Sequence, residues 1–506
     1  MNHWYMGIDI GTGSCKCVVV NELAHPLGFG AADYGEPENP KKKWNEQDPT
    51  SILNALFTAA QNAIRSAQVS PSACRAISVG SALHTVMALD ANGYPLTGVI
   101  TWADQRSTPQ AQAVREQPLA SSLYAQTGCP AHAMYPLYKI LWLRQERPEL
   151  FAPAARFVSV KEFALERLTG QWRVDFSVAA GSGLLNTHTL EWDPDSLTLA
   201  GISTDQLSPL CDPLETISGL RPEAAERLGL PSNTLVVVGA SDAANSSLGA
   251  GATQLDRQVT CMIGTSGALR RMSGKPVLDK EARTWCYAID AKHYLVGGSI
   301  NNGGVALSWL RDVFNQAIGL SGEGKNLSFE ALLDLAEKVP PGAEGVVCLP
   351  FFTGERSPNW NMNAKAVFYG LTLEHDARHL SRAVVEGVAF RLRSIYDVMQ
   401  SQGNPIEEVR ASGGFTNSRL WLQTVASVLE HELITTTWGE TSCMGAALWA
   451  LYGSGVIHSI EDMGQLVQVQ SIIPGDPLAE QYYQKQYRLY QDLYGALQGL
   501  FQMRTI

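Results

Sequence analysis

The sequence predicts an α/β protein built from two related domains, and three observations point there. Its 506 residues exceed what one core fills, since single cores stop growing near about 250 to 300 residues. Strand-like and helix-like runs alternate along the chain, the pattern of sheets with helices packed on them. A strand, a Gly-Thr turn and a returning strand occur near the N-terminus and again half a chain later, as IDIGTGSCKCVVV and TCMIGTSGALRRM, which is the mark of a duplicated unit. We place the division in the loop Gly249-Ala250-Gly251, giving domains 1–250 and 251–506.

The elements follow in chain order. A short apolar strand is predicted over 6–10, broken by Gly11-Thr12-Gly13-Ser14 and resumed over 15–20, a hairpin with a glycine-rich turn. Residues 51–67 carry helical spacing. Strands are predicted over 76–79 and 85–89, with Gly80-Ser81-Ala82-Leu83-His84 between them. A buried strand over 235–239 runs into Ala240-Ser241-Asp242. The second copy begins with a strand over 258–263, turns at Gly264-Thr265-Ser266-Gly267 and returns over 268–272. The strongest helix is 376–400, with Leu380, Ala383, Val384, Gly387, Val388 and Ile395 on one face and Asp376 in its first turn. Gly413-Gly414 precede a helix over 419–430, and Gly445-Ala446-Ala447 mark a helix small enough to pack closely. The helix over 479–501 carries Tyr482, Tyr483, Tyr487, Tyr490 and Tyr494 as a face docked on the core.

Composition narrows the function classes. The chain is 45% hydrophobic and 17% charged, as globular proteins are. A net charge of −11 with no basic run leaves no electrostatic footprint for nucleic acid or an anionic membrane. No window is apolar for the length of a membrane helix, and no basic-then-apolar leader precedes the first strand. Nine scattered cysteines show no CxxC pair and no zinc spacing, which suits reduced thiols in the cytoplasm.

The candidate chemistry gathers at the two turns. A Gly-Thr-Gly-Ser turn lets backbone N–H groups approach an anion, and Asp9 before it can hold a hydrated magnesium ion against phosphates. Two such turns in related halves can grip one polyphosphate from both sides, the arrangement of the actin and hexokinase-like fold. The second turn has Gly264 and Thr265 but no aspartate matching Asp9, so only the first serves a metal. Asp242 stands at a strand-to-helix switch, where it reads either as a cleft-facing carboxylate or as a helix N-cap. The stretch GLSGEGKN, 319–326, approaches a nucleotide-binding P-loop but lacks its Ser or Thr and follows a helix, so it reads as an exposed loop.

Two longer stretches carry a family resemblance. MYPLYKILWLRQE, 134–146, and AVFYGLTLEHDARHLSRAVVE, 366–386, fill every constrained position of the two signatures of the FGGY carbohydrate kinases. That group includes glycerol kinase, xylulokinase and one class of gluconate kinase. The likeness runs from GIDIGT to the helix at Gly445. It implies two ribonuclease H-like domains flanking a catalytic cleft and an ATP-dependent transfer of phosphate to a sugar hydroxyl, with ATP and Mg2+ as cofactors.

Site roles carry over residue by residue. Asp9 looks like the magnesium-linked aspartate, with Thr12, Gly13 and Ser14 as the first phosphate loop. Lys16 stands where glycerol kinases have a phosphate-side arginine. Asp242 looks like the catalytic base and a second metal-facing carboxylate. Ser241 departs from the glycine of many relatives but matches the gluconate kinase group. Gly264 and Thr265 look like the second phosphate loop, Gly304 and Ser308 like the helix start near the nucleotide, and Gly413, Gly414 and Ser418 like the adenosine loop. Leu83 and His84 occupy the position where xylulokinases carry Met-His. Trp102, Asp104, Met134 and Asn302 complete the sugar wall.

The acceptor is read as gluconate, because GASDAANSSLGAG, IGTSGALR and GGSINNGG resemble that branch. Its carboxylate needs a cation, and Arg106, Arg270 and Arg356 are the candidates. D-xylulose or another ketose or polyol is the alternative acceptor. An actin-like or sugar-sensing scaffold is the non-enzymatic alternative, opposed by the presence of Asp242 and the sugar wall. Small molecules are the expected partners, a homodimer the only macromolecular one, with no nucleic acid and no membrane.

Overall fold

The computed structural model describes residues 3–35, 44–321 and 326–502. The chain forms two compact units. One comprises 1–255, 272–296 and 440–467, and the other comprises 256–271, 297–439 and 468–506. The units are therefore woven from non-contiguous segments rather than cut at one point.

The first unit is built on a six-stranded sheet. Its order is Thr216–Ser218, Leu235–Val237, Cys74–Ser81, Trp4–Ile10, Ser14–Val20, Pro26–Asp33. Trp4–Ile10 pairs antiparallel with Ser14–Val20 and parallel with Cys74–Ser81. Cys74–Ser81 pairs parallel with Leu235–Val237, which pairs antiparallel with Thr216–Ser218. All seven residues of Trp4–Ile10 are buried, as expected of a strand covered on both faces.

One face is covered by the helix Pro49–Ala67, started by the Asp48 side chain accepting from the Ser51 N–H and by proline in its first turn. The other is covered by the expected small-residue helix, Thr441–Gly453. Its closeness depends on glycine. A Cβ on Gly7 would lie 2.1 Å from the Cys443 carbonyl oxygen, and one on Gly445 would lie 2.0 Å from that of Asn245.

The second unit repeats the sheet logic. Gln258–Ile263 pairs antiparallel with Gly267–Ser273 and parallel with Glu408–Ser412. Glu408–Ser412 pairs parallel with Leu433–Thr436, which pairs antiparallel with Val469–Ile473. The run antiparallel, parallel, parallel, antiparallel is that of the first unit from Ser14–Val20 to Thr216–Ser218. The duplication seen in the two turns thus extends through five strands.

The predicted helices at 376–400 and 419–430 are Ala377–Ser401, capped by Asp376, and Arg419–Leu429. The tyrosine helix is Pro477–Gln502. Tyr483 and Tyr490 are buried, while Tyr482 points outward. The Tyr483, Tyr487 and Tyr494 hydroxyls donate to Glu386, Asp397 and Glu355.

Two expectations change. The strand expected over 85–89 shortens to Met87–Leu89, because the chain turns through His84 in a left-handed conformation, φ +65°. The stretch read as a loop, 319–326, starts inside the helix Gly304–Ser321, and its residues 322–325 lie outside the described residues. No described helix is long and apolar enough to cross a membrane.

Candidate active site

In the first unit, the C-terminal ends of three neighbouring parallel strands deliver the candidate residues side by side, where ligands of open α/β sheets bind. Trp4–Ile10 delivers Asp9, Cys74–Ser81 leads to Leu83 and His84, and Leu235–Val237 leads to Asp242. The Ala82 N–H donates to the Ile10 carbonyl at 2.8 Å, tying the first two ends together.

Asp242 is the first residue of the helix Asp242–Gly249, and the N-cap is Ser241, whose side chain accepts from the Ala244 N–H. The capping alternative for Asp242 is thereby corrected. Its Oδ1 accepts instead from the Leu83 N–H at 3.2 Å. Asp9 is 7% exposed, and its Oδ1 has no hydrogen-bond partner. Burial, followed by the charge of Asp242, pushes its carboxyl up to about 7, against the pull of Ser442 and Lys16. A buried, unpartnered carboxylate oxygen beside a second carboxylate fits a divalent cation. Among the described residues no three acidic, histidine or cysteine side chains group into a metal cage.

The first glycine-rich turn is braced from behind. The Gly11 N–H donates to the Ser14 carbonyl at 3.0 Å. The Tyr34 hydroxyl donates to the Gly11 carbonyl, the Gln47 amide to the Thr12 carbonyl, and Trp102 Nε1 to Thr12 Oγ1 at 2.9 Å. Gly13 is exposed, and a Cβ there would meet nothing within 4 Å, so the space before the turn is open. Lys16, opposite Asp9 in register, extends to Glu440 Oε2 at 2.7 Å.

The sugar-wall candidates divide. His84 holds its left-handed backbone by an Nδ1–H bond to the Gly181 carbonyl at 2.6 Å and stands edge-on to Tyr135 and Tyr287. Such strain costs about 1 to 3 kcal/mol and persists only where neighbours enforce it. Here one enforcer is Lys139, whose Nζ donates to the carbonyls of His84 at 2.6 Å and Thr101 at 2.8 Å. Burial pulls the Lys139 ammonium down to about 7. Met134 is buried, and its N–H donates to His132 Nδ1. Asp104 is 1% exposed, and its carboxylate accepts from the Asn45 N–H and from Arg106. It shapes its loop instead of presenting oxygens to a ligand. Arg106 is committed as well, to Asp104 and Glu46, with its guanidinium 4.0 Å from the Trp44 ring centroid.

In the second unit the structure brings the remaining glycines together. The Gly304 N–H donates to the Gly264 carbonyl at 2.7 Å, and the Gly303 and Val305 N–H groups donate to that of Thr265. Ser308 follows one turn into the helix Gly304–Ser321. Gly413 has φ +91°, and a Cβ there would lie 2.6 Å from the Ile263 carbonyl oxygen, so the adenosine-loop candidate abuts the end of the strand Gln258–Ile263. Gly414 is open, and Ser418 caps Arg419–Leu429. Asn302 donates to the Gly354 carbonyl and accepts from Thr353, locking that loop. Arg356 donates to the Ile300 carbonyl, and Arg270 is buried on its strand.

The residues that sequence reasoning missed are mostly supports: Tyr34, Gln47, Lys139, Glu440 and Ser442. Lys139 lies within the signature stretch 134–146, which was a usable signal. The others approach from distant segments and leave no local trace.

The model of the FGGY family of carbohydrate kinases, N-terminal domain, matches residues 4–249, and that of the C-terminal domain matches 259–454. A gluconokinase of Bacillus licheniformis is 36% identical over 473 residues, covering 92% of this chain and 91% of its own. A xylulose kinase of Bacillus subtilis is 28% identical over 494 residues, covering 97% and 96%. The crystal structure of gluconate kinase from Lactobacillus acidophilus superposes with a TM-score of 0.90 at 30% identity over 98% of both chains, and a xylulose kinase of that organism does so equally.

The chain belongs to the FGGY family of carbohydrate kinases. It has the family's two-domain α/β sugar-kinase fold of the actin and hexokinase-like type. It is an ATP-dependent phosphotransferase with an alcohol group of a carbohydrate as acceptor.

Proposed function

We propose that this chain phosphorylates gluconate, using magnesium-bound ATP, with Asp242 as the base. The observation that carries the acceptor is the higher identity to a gluconokinase, 36% against 28% for a xylulose kinase. Asp242 orients the attacking hydroxyl and takes its proton; positioning and charge neutralisation dominate phosphoryl transfer. The metal, when bound, neutralises charge on the β- and γ-phosphates, and Asp9, with Asp242 beside it, would hold it. Thr12, Gly13, Ser14 and Lys16 are the phosphate-binding residues of the first unit. Gly264 and Thr265 are those of the second, with Gly304 and Ser308 behind them and Gly413, Gly414 and Ser418 for the adenosine. For Lys16 this means leaving Glu440.

Leu83, His84, Trp102 and Met134 form the sugar wall, while Asp104 and Asn302 hold its loops. Arg106 is excluded as the carboxylate partner by its two acidic neighbours, which leaves Arg270, Arg356 or backbone N–H groups. The inherited domains are read as 1–250 and 251–506. The cytoplasm is the compartment, in keeping with nine buried, unbridged cysteines.

A second reading, D-xylulose, is favoured by one observation, the strained and doubly held His84. The test is the ratio of kcat/KM for gluconate and D-xylulose at equal ATP and magnesium. We expect a ratio above ten, since a site built for a carboxylate rejects a ligand without one. A ratio favouring D-xylulose overturns the acceptor and leaves the kinase intact.

A further inference from the structure

A buried chain of hydrogen bonds runs from the interior of the first unit to the start of the Asp242 helix. Lys161, 1% exposed, donates from Nζ to Asp175 Oδ2 at 2.6 Å and to the Gly239 carbonyl at 2.8 Å. Asp175, 0% exposed, accepts at its other oxygen from the Ser177 and Val178 N–H groups at 3.1 Å and from Ser177 Oγ at 2.5 Å. Because the Ser177 hydroxyl proton is directed to Asp175, its lone pairs face the other way. There Ser177 Oγ accepts from the Ser241 N–H at 2.7 Å. Ser241 is the N-cap, and Asp242 follows it.

Two arms from one ion pair thus grip the three residues before Asp242, one at Gly239 and one at Ser241. The segment has little slack. Gly239 is left-handed, φ +72°, and a Cβ there would lie 2.3 Å from Ser78 Oγ. A fully buried ion pair is often no more stabilising than apolar side chains of the same volume, because desolvation offsets the attraction. Charge-assisted bonds do fix direction well. The expense of burying this pair is better matched to holding a geometry than to holding the fold.

We propose that Lys161, Asp175 and Ser177 are positioning residues that set the angle of the Asp242 carboxylate through Gly239 and Ser241. The proposal rests on the reading of Asp242 as the base. Displacing a catalytic group by about 1 Å can cost 10²-fold in rate.

The test is Ser177→Ala in the full chain, with steady-state kinetics on gluconate and ATP and a melting curve to show folding. We expect kcat to fall by about tenfold or more, with both KM values within twofold. Ser177→Thr, which keeps the hydroxyl, should recover most of the loss. Unchanged kcat in folded Ser177→Ala overturns the proposal, as does a loss confined to KM. Should Ser177→Ala not fold, Ser177→Cys, whose sulfur accepts poorly, is read in the same way. Asp242→Asn is measured beside it. Full turnover in Asp242→Asn sinks the base assignment, whereas an inactive Asp242→Asn with a normal Ser177→Ala sinks the positioning proposal alone.

Discussion

The two glycine-rich turns share a strand pattern and differ in what surrounds them. Around Gly11–Ser14 stand two carboxylates, Asp9 and Asp242, an ion pair, Lys16–Glu440, and three bracing side chains, Tyr34, Gln47 and Trp102. Around Gly264–Ser266 the ties are backbone to backbone, from Gly303, Gly304 and Val305. A duplicated hairpin has kept its shape in both copies, with carboxylates gathered beside the first turn. We propose that the second turn, tied by backbone hydrogen bonds, holds phosphate without competing for the metal. On our reading the first turn is where the reaction is run and the second where the nucleotide is held.

The largest effect expected on that division is at Asp242. Asp242→Asn should cut kcat by about 10² to 10⁴-fold, as loss of a general base does, while ATP affinity by calorimetry stays within a few-fold. Turnover near that of the parent chain would dissolve the contrast between the turns.

A smaller effect is expected at the second turn. A Cβ on Gly303 would lie 2.5 Å from the Ser266 carbonyl oxygen and 2.9 Å from that of Gly264. Gly303→Ala must therefore shift the cradle. We expect the KM for ATP to rise by about tenfold, with kcat at saturation changed less. The opposite split, kcat lost with KM kept, would give the second turn a share in the chemistry.

The smallest is a matter of stability away from both turns. Burial raises the Glu162 carboxyl from 4.5 to about 7, against hydrogen bonds from Ser208 and Ser159. The folded chain then keeps a proton that the unfolded chain loses, so stability falls as pH rises from about 4.5 to 7. Glutamine stays neutral and can keep the capping box with Ser159. Glu162→Gln should melt with the parent chain near pH 4.5 and a few degrees above it at pH 8. Equal melting at both values would show an ionised glutamate already well accommodated.

The sequence made the local features legible and hid the distant ones. The two turns were readable because glycine, threonine and the strands beside them lie within a dozen residues. Asp242 was readable as a carboxylate at a strand-to-helix switch, but its choice between cap and cleft depended on Ser241 taking the cap. Asp104 looked like a sugar ligand in WADQR, and only Asn45 and Arg106, packed on it in three dimensions, show that its oxygens are committed. Lys139 and Lys161 sit in helical patterns where lysine ordinarily means solvent, and nothing local marks them as buried. The segments 272–296 and 440–467 return to the first unit after the excursions 256–271 and 297–439 into the second, which no local pattern encodes.

The division of labour between the turns is tested most directly by titrating magnesium against turnover in Asp9→Ala and Thr265→Val at one fixed ATP concentration. Metal dependence should belong to the first turn only. The magnesium needed for half-maximal turnover should rise by about tenfold in Asp9→Ala, as when a ligating carboxylate or its outer-shell partner is lost, and stay at the parent value in Thr265→Val. An unchanged titration in Asp9→Ala, or an equal shift in both variants, would contradict that division.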